Sequence, residues 1–221
     1  MAKATAEEKK WMLKYKREYT SILSSHDRKL ALRRINNIDK IVNNYISRNP
    51  NCTVINLACG FDTRYWRINN KECKYIELDL PEVIALKKDL FGDNIPYELI
   101  GSSVLDTAWL DKVTAASNQN ILLIAEGISM FLPKDKAINL FSEISRRLKN
   151  SQIVFDYLHS NYTKGLWKWL AKKVLGVYWV FGIDNPKEIE TFASSLKVLS
   201  VEKGSMGPIA SVMINGDSTL S

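Results

Sequence analysis

The sequence predicts an α/β fold built on a mostly parallel sheet with helices on both faces. Two observations predict it. Short apolar runs of the buried-strand kind alternate with stretches of helical periodicity. Polar or small residues then stand where the apolar runs end, at 58–60, Asp79, 103–106, Glu126 and 156–159. Repeated β-then-α units favour parallel pairing, and ligands of such sheets bind outside the carboxyl ends of the strands.

Residues 4–25 read as a helix with Trp11, Met12, Tyr15, Tyr19, Ile22 and Leu23 at helical spacing. Residues 24–27 (SSHD) are expected to interrupt it and to cap a second helix over about 28–48, with Ile35, Ile38, Val42 and Tyr45 on one face. Asn49-Pro50-Asn51 ends that helix with turn chemistry. Strands follow at 54–57 and 74–80, and Pro81 suits the first turn of a helix reaching about residue 90. A third strand is expected over 97–104, with Asp106 able to cap the short helix behind it. The run ILLIA at 121–125 is the most hydrophobic and is expected at the centre of the sheet. Pro133 opens a helix striped by Ile138, Phe141, Ile144 and Leu148, with Arg146, Arg147 and Lys149 favourably placed at its end. A fifth strand covers 152–158, an aromatic and basic stretch covers 160–182, a helix is expected over 186–193, and closing strands over 196–201 and 209–214.

A chain of 221 residues with 46% hydrophobic and 25% charged content is expected to form one globular unit. Residues 1–50 read as a helical extension to a domain spanning 51–221. The cysteines number three, without metal-ligand spacing, which suits a reduced, cytoplasmic setting and offers no metal site. The start is charged and lacks the apolar core of a signal peptide. The longest apolar run, 175–183, is far shorter than the about 20 residues that cross a bilayer. The net charge of +7 is carried by the first 50 residues, where a solvated helical face is the expected reading and an anionic partner the alternative.

The turn after the first strand carries the cofactor argument. A dinucleotide loop would want glycine at 58, 60 and 63, and the chain has Ala58, Gly60 and Thr63. A pyrophosphate needs close backbone approach and bare N–H groups, so the turn suits a nucleoside without phosphate, such as S-adenosylmethionine. Asp79 lies 19 residues past Gly60 at a strand end, where a carboxylate grips ribose hydroxyls. Glu77 is expected on the same strand face, one pleat further from the end. Glu126 ends the most apolar strand; an ionised group there needs a partner, and a ligand ammonium would serve. Ser103 and Val104 are placed for an adenine edge, with Asp106 the alternative.

The runs NLACGFDTRYWRI, YIELDLPEVIALKK and AEGISMFL resemble successive motifs of the leucine carboxyl methyltransferase family, and its bacterial branch of tetracenomycin-type O-methyltransferases in particular. The resemblance covers about residues 30–158. It implies a Rossmann-like class I methyltransferase fold with a seven-stranded sheet and S-adenosyl-L-methionine as cofactor. It also implies that Arg34 pairs with the methionine carboxylate, that Ala58 and Gly60 form the cofactor loop, that Asp79 takes the ribose, that Ser103 and Val104 meet the adenine, and that Glu126 lies at the amino end. Ala58 stands where the family usually has glycine. Arg33 is adjacent to Arg34, and from the residues alone either can supply the cation.

The expected reaction is O-methylation of a small-molecule hydroxyl or carboxylate. A protein C-terminal carboxylate and, more remotely, a nucleic acid are the alternative targets. A carboxylate, with a pKa of about 4, needs no base, while a phenol, at about 10, benefits from one. His159, after the fifth strand with Asp156 and Tyr157 beside it, is the candidate base. The aromatic stretch is a candidate lid, and no catalytic residue is assigned.

Overall fold

The computed structural model describes residues 25–68, 73–92, 95–116, 120–170, 172–173, 178–204 and 207–214. The expected helix over 4–25 lies almost wholly outside them. Helix α1 (Ser25–Arg48) leads into β1 (Thr53–Leu57). Residues 25–27, expected to break the chain, are helical instead; Ser and Asp are only modestly worse helix formers than their neighbours. The order continues with α2 (Arg64–Arg67), β2 (Lys74–Asp79), α3 (Pro81–Phe91), β3 (Glu98–Gly101), α4 (Trp109–Ala116), β4 (Ile121–Ala125), α5 (Lys134–Arg147) and β5 (Ser151–Asp156). A short helix α6 (Gly165–Leu170) and two closing strands, β6 (Leu196–Glu202) and β7 (Ile209–Ile214), complete it.

The seven strands form one sheet in the order β3-β2-β1-β4-β5-β7-β6. The first five are parallel, and β7 runs antiparallel between β5 and β6. The strand order reverses between β1 and β4, which places the switch point there. Every residue of β1 and β4 is buried. Burying one large aliphatic side chain stabilises by about 1.5–3 kcal/mol, so these two runs anchor the sheet's centre. On one face, Ile38 and Val42 of α1 pack on Val54, Leu122, Ile124 and Val154. On the other, Leu110, Val113, Leu140, Phe141 and Ile144 pack on Ile55, Leu57, Ile76 and Leu123.

Two elements are shorter or tighter than expected. Strand β3 stops at Gly101, because Ser103 starts a turn: its Oγ accepts from the Leu105 N–H (3.2 Å) and its carbonyl from the Asp106 N–H (3.0 Å). Residues 186–191 form a 3-10 turn, not an α-helix, closed by a capping box between Asn185 and Glu188. Among the described residues, no helix is long and apolar enough to cross a membrane.

Candidate active site at the carboxyl ends of the central strands

The turn leaving β1 is left-handed twice, at Ala58 (φ 50°) and Gly60 (φ 50°). A Cβ makes that conformation unfavourable by about 1–2 kcal/mol, so Ala58 is a strained position and Gly60 a relaxed one. The Gly60 N–H donates to Asp79 Oδ2 at 2.6 Å. The other oxygen of Asp79 accepts from its neighbour's N–H, on Leu80, at 2.7 Å. Asp79 is thereby drawn across the β1 loop instead of capping α3, whose first residue is preceded by Leu80 with no side-chain cap. Among the described residues, no atom beyond its chain neighbours lies within 4 Å of where a Gly60 Cβ would stand, so the described part of the chain leaves the loop open. The Ser102 N–H donates to the Asp79 carbonyl (2.8 Å), which brings the end of β3 alongside. There Val104 is buried and accepts from the Trp109 indole N–H (3.2 Å), Ser103 is half-buried, and Asp106 is engaged by the Ala108 N–H (3.2 Å).

The turn leaving β4 holds charge. Glu126 receives Arg34 Nε of α1 on Oε1 at 2.8 Å and Arg64 Nη2 of α2 on Oε2 at 2.5 Å. Arg34 Nη1 also reaches Asp156 Oδ2 at 3.2 Å, and the Gly127 N–H donates to Asp156 Oδ1 at 2.6 Å. Of the two adjacent arginines, Arg34 enters this cluster and Arg33 is exposed. The structure therefore brings Arg34 and Glu126 together at one strand end, and Ala58, Gly60, Asp79, Ser103 and Val104 together at the neighbouring ones.

The sequence reading passed over Arg64, although it sits in the D-T-R-Y-W-R run. Its side chain is fully buried, and its three guanidinium nitrogens reach Asp39 (2.7 Å), Asp62 (2.6 Å) and Glu126. Arg67 ties Asp39 and Asp62 together from outside. Burial works to raise the Asp62 carboxyl, but Arg64 and Arg67 outweigh it and hold it below the usual range. Burial works to lower the Arg64 guanidinium, but Asp62 and Glu126 outweigh it and raise it. Asp156 is pushed the other way from Asp62: burial raises it, with Arg34 only partly opposing. The available signal for Arg64 was the rule that a buried charge must pair; what was missing was any sign that this one side chain of α2 would be buried.

Glu77 does not join the ribose position. It is fully buried against Lys87 of α3, with which it forms an ion pair, and burial raises its carboxyl. Period two did put it on the face of Asp79, but one pleat deeper, where α3 covers it. His159 stands apart as well. Its Nδ1 accepts from the Asn161 N–H (3.3 Å) and lies 3.3 Å from Asp184, and the ring is half exposed. Asp156, expected beside it, is turned to Arg34 and Gly127, and Tyr157 is buried. In the aromatic stretch, Trp167 and Trp169 of α6 are exposed, with Tyr162 against Trp167 (ring centroids 5.4 Å apart).

Comparison with known proteins puts a family to this geometry. The chain is 27% identical over 202 residues to the tetracenomycin polyketide synthesis O-methyltransferase TcmP of Streptomyces glaucescens, across 88% of this chain and 71% of that one. It is 28% identical over 191 residues to the S-adenosyl-L-methionine-dependent methyltransferase dpfgK of Gibberella zeae, across 79% of this chain and 63% of that one. A solved SAM-dependent methyltransferase from Anabaena variabilis shares the fold at a TM-score of 0.59 and 15% identity, over 81% of this chain and 86% of that one. Residues 2–145 match the leucine carboxyl methyltransferase family, and the chain belongs to that family.

Proposed function

We propose that the chain is an S-adenosylmethionine-dependent O-methyltransferase acting on a small-molecule hydroxyl or carboxylate. The observation that carries this reading is the pair of strand-end sites, Asp79 pinned at the Gly60 loop and Glu126 bound to Arg34, in a member of a methyltransferase family. Asp79 keeps lone pairs for two ribose hydroxyls. Ser103 and Val104 border the adenine. Arg34 and Glu126 supply the cation and anion that a zwitterionic methionine end requires. The residues fit the group: the loop at Gly60 is open, and the ionic cluster sets four carboxylates, Asp39, Asp62, Glu126 and Asp156, against three guanidiniums, Arg34, Arg64 and Arg67. When bound, the cofactor supplies an electrophilic methyl on a sulfonium.

The protein's part in an in-line displacement is alignment and exclusion of water. A carboxylate acceptor needs nothing more. A phenolic acceptor gains from a base, and His159, exposed and engaged with Asn161, is poorly placed for one. The likeness to TcmP favours a polyketide acceptor; the family's description favours a protein carboxylate as the second reading. In this reading, residues 1–50 are an extension that lends Arg34 to the domain over 51–221. Its free thiols suit a cytoplasmic setting.

Isothermal titration with S-adenosylmethionine and S-adenosylhomocysteine tests the cofactor, and a methyl-transfer screen over phenols, small carboxylic acids and peptide C-termini tests the acceptor. No binding at millimolar cofactor overturns the proposal.

A further inference from the structure

Glu126 faces two guanidiniums with unequal freedom. Arg64 is fully buried, and each of its guanidinium nitrogens meets a carboxylate at 2.5–2.7 Å. Its backbone N–H is also held, by Asp62 Oδ1 at 3.0 Å. Withdrawing it would leave buried charges unpaired, the costliest outcome for an ion pair. Arg34 is 20% exposed, and its second bond, to Asp156, is the long one at 3.2 Å. It can give up one oxygen of Glu126 without being stranded.

Resting on the methyltransferase reading, we infer that Arg64 is a positioning residue that locks Glu126 in place, while Arg34 is an exchangeable occupant of the ligand's amino-acid site. On binding, the ligand's α-ammonium replaces Arg34 at Glu126 Oε1, and its α-carboxylate replaces Glu126 at Arg34. Asp156, itself held by the Gly127 N–H, keeps Arg34 at the strand end during the exchange. One ion pair becomes two of the same kind, so the zwitterion enters without leaving a charge unmatched.

The test compares two ligands that share adenosine: S-adenosylhomocysteine, with the amino-acid end, and 5′-methylthioadenosine, without it. Titrations are run on the wild type, Arg64→Lys and Glu126→Gln. Lysine cannot reproduce the three-way fork of Arg64. The expected result is a loss of about tenfold or more in S-adenosylhomocysteine affinity, the scale of one charge-assisted hydrogen bond, with methylthioadenosine changed less than about twofold. Retained methylthioadenosine binding shows that the variant is folded; should Arg64→Lys not fold, the Glu126→Gln pattern decides. Equal losses for both ligands, or none for S-adenosylhomocysteine, overturn the inference and leave the cofactor assignment standing. A wild type that binds neither ligand removes both.

A separate observation lies at the opposite ends of the strands. Cys52 and Cys73 each precede a strand, and the register pairs Thr53 with Lys74, so the two cysteines face each other one residue earlier. Their sulfurs are 2.9 Å apart, inside ordinary non-bonded contact. Cys52 is buried and Cys73 half-buried. We propose that this thiol pair is oxidised to an intramolecular disulfide by low-molecular-weight disulfides such as oxidised glutathione. The Cys73 thiolate attacks the reagent's S–S bond and releases one glutathione thiolate. The Cys52 thiol then attacks the Cys73 sulfur, passing its proton to the second departing glutathione. Two electrons move from the protein to the reagent, and no other oxidant is needed. Burial raises the Cys52 thiol, so the half-buried Cys73 is the thiol that meets the reagent first.

Incubation with oxidised glutathione, alkylation and non-reducing peptide mapping reads the result. A 52–73 crosslink that leaves Cys59 as the remaining thiol is expected, with S-adenosylhomocysteine affinity unchanged because the link is remote from the Gly60 turn. Cys52→Ser should stop at a Cys73–glutathione mixed disulfide. A wild type that also stops there, or that keeps all three thiols, overturns the proposal.

Discussion

The turns after β1 and β4 share one backbone device in opposite electrostatic surroundings. In each, a glycine with positive φ follows the strand, and its N–H donates to an aspartate at the end of the neighbouring strand, at 2.6 Å in both. Around Asp79, among the described residues, the second oxygen meets a backbone N–H and no cation. Around Asp156 it meets Arg34, within a cluster of buried ion pairs. A backbone device that only aims a carboxylate leaves its use open. The neighbours decide whether that carboxylate is offered to hydroxyls or spent on holding an arginine.

The largest expected effect separates the two aspartates by stability. Asp156→Ala leaves the Gly127 N–H without its acceptor and Arg34 without one of its two carboxylate partners, and should destabilise the fold by about 2–3 kcal/mol. Asp79→Ala, at a more open position, should cost less than about 1 kcal/mol. Urea unfolding measures both; equal losses would erase the distinction between the turns.

The next effect inverts that ranking for ligand. Asp79→Ala should weaken S-adenosylhomocysteine and methylthioadenosine alike, by at least about 1 kcal/mol, the scale of a lost hydrogen bond to a charged group. Unchanged affinity in a titration removes Asp79 from the site.

Acid unfolding sharpens the picture of the ionic cluster, because two of its carboxylates, Asp62 after β1 and Asp156 at the end of β5, are shifted oppositely. Asp62 is held below its ordinary value in the folded state. Its stabilisation is present above the unfolded pKa and is lost as pH falls through the folded one, so Asp62→Asn should flatten the acid limb. Asp156 is raised. There the folded state binds the proton more tightly, and the aspartate's ionisation costs stability as pH rises through the raised value. Asp156→Asn should therefore steepen the acid limb. Stability followed by circular dichroism against pH checks the two slopes; identical slopes would show that neither shift is expressed.

The remaining effects are conformational. Gly60→Ala and Gly127→Ala should each cost about 1–2 kcal/mol through the left-handed backbone. Neither meets an obstruction, since the nearest atom to a Gly127 Cβ is Arg34 Nη2 at 3.6 Å. Ala58→Gly relieves the same strain but gains unfolded-state entropy, leaving a net stabilisation of at most about 1 kcal/mol. Thermal melts rank the three, and a destabilised Ala58→Gly would show that the turn is not strained.

Legibility in the sequence followed burial. Residues 54–57 and 121–125 are unbroken apolar runs, and both are strands with every side chain inside. Once those runs were located, Gly60 and Glu126 marked their ends, and Asp79 marked the end of β2. Arg34 was reached through family likeness, because an arginine on a basic helix looks like any surface cation. Arg64 was not reached at all. Its burial depends on α1 and the β1 loop, which bring Asp39 and Asp62 to its guanidinium, and no local pattern records that. Glu77 was placed on the correct strand face, but its depth is set by Lys87, which comes from α3.

By itself, the order of apolar runs and breakers determined a parallel α/β sheet with its polar chemistry at the strand ends, because strand burial and turn geometry are written in neighbouring residues. Only the tertiary structure decided which charges meet. Arg34 and Asp39 of α1, Arg64, Glu126 and Asp156 come from four separate stretches of chain, and a buried charge is tolerated only where distant segments deliver its counter-charge to the same few ångströms.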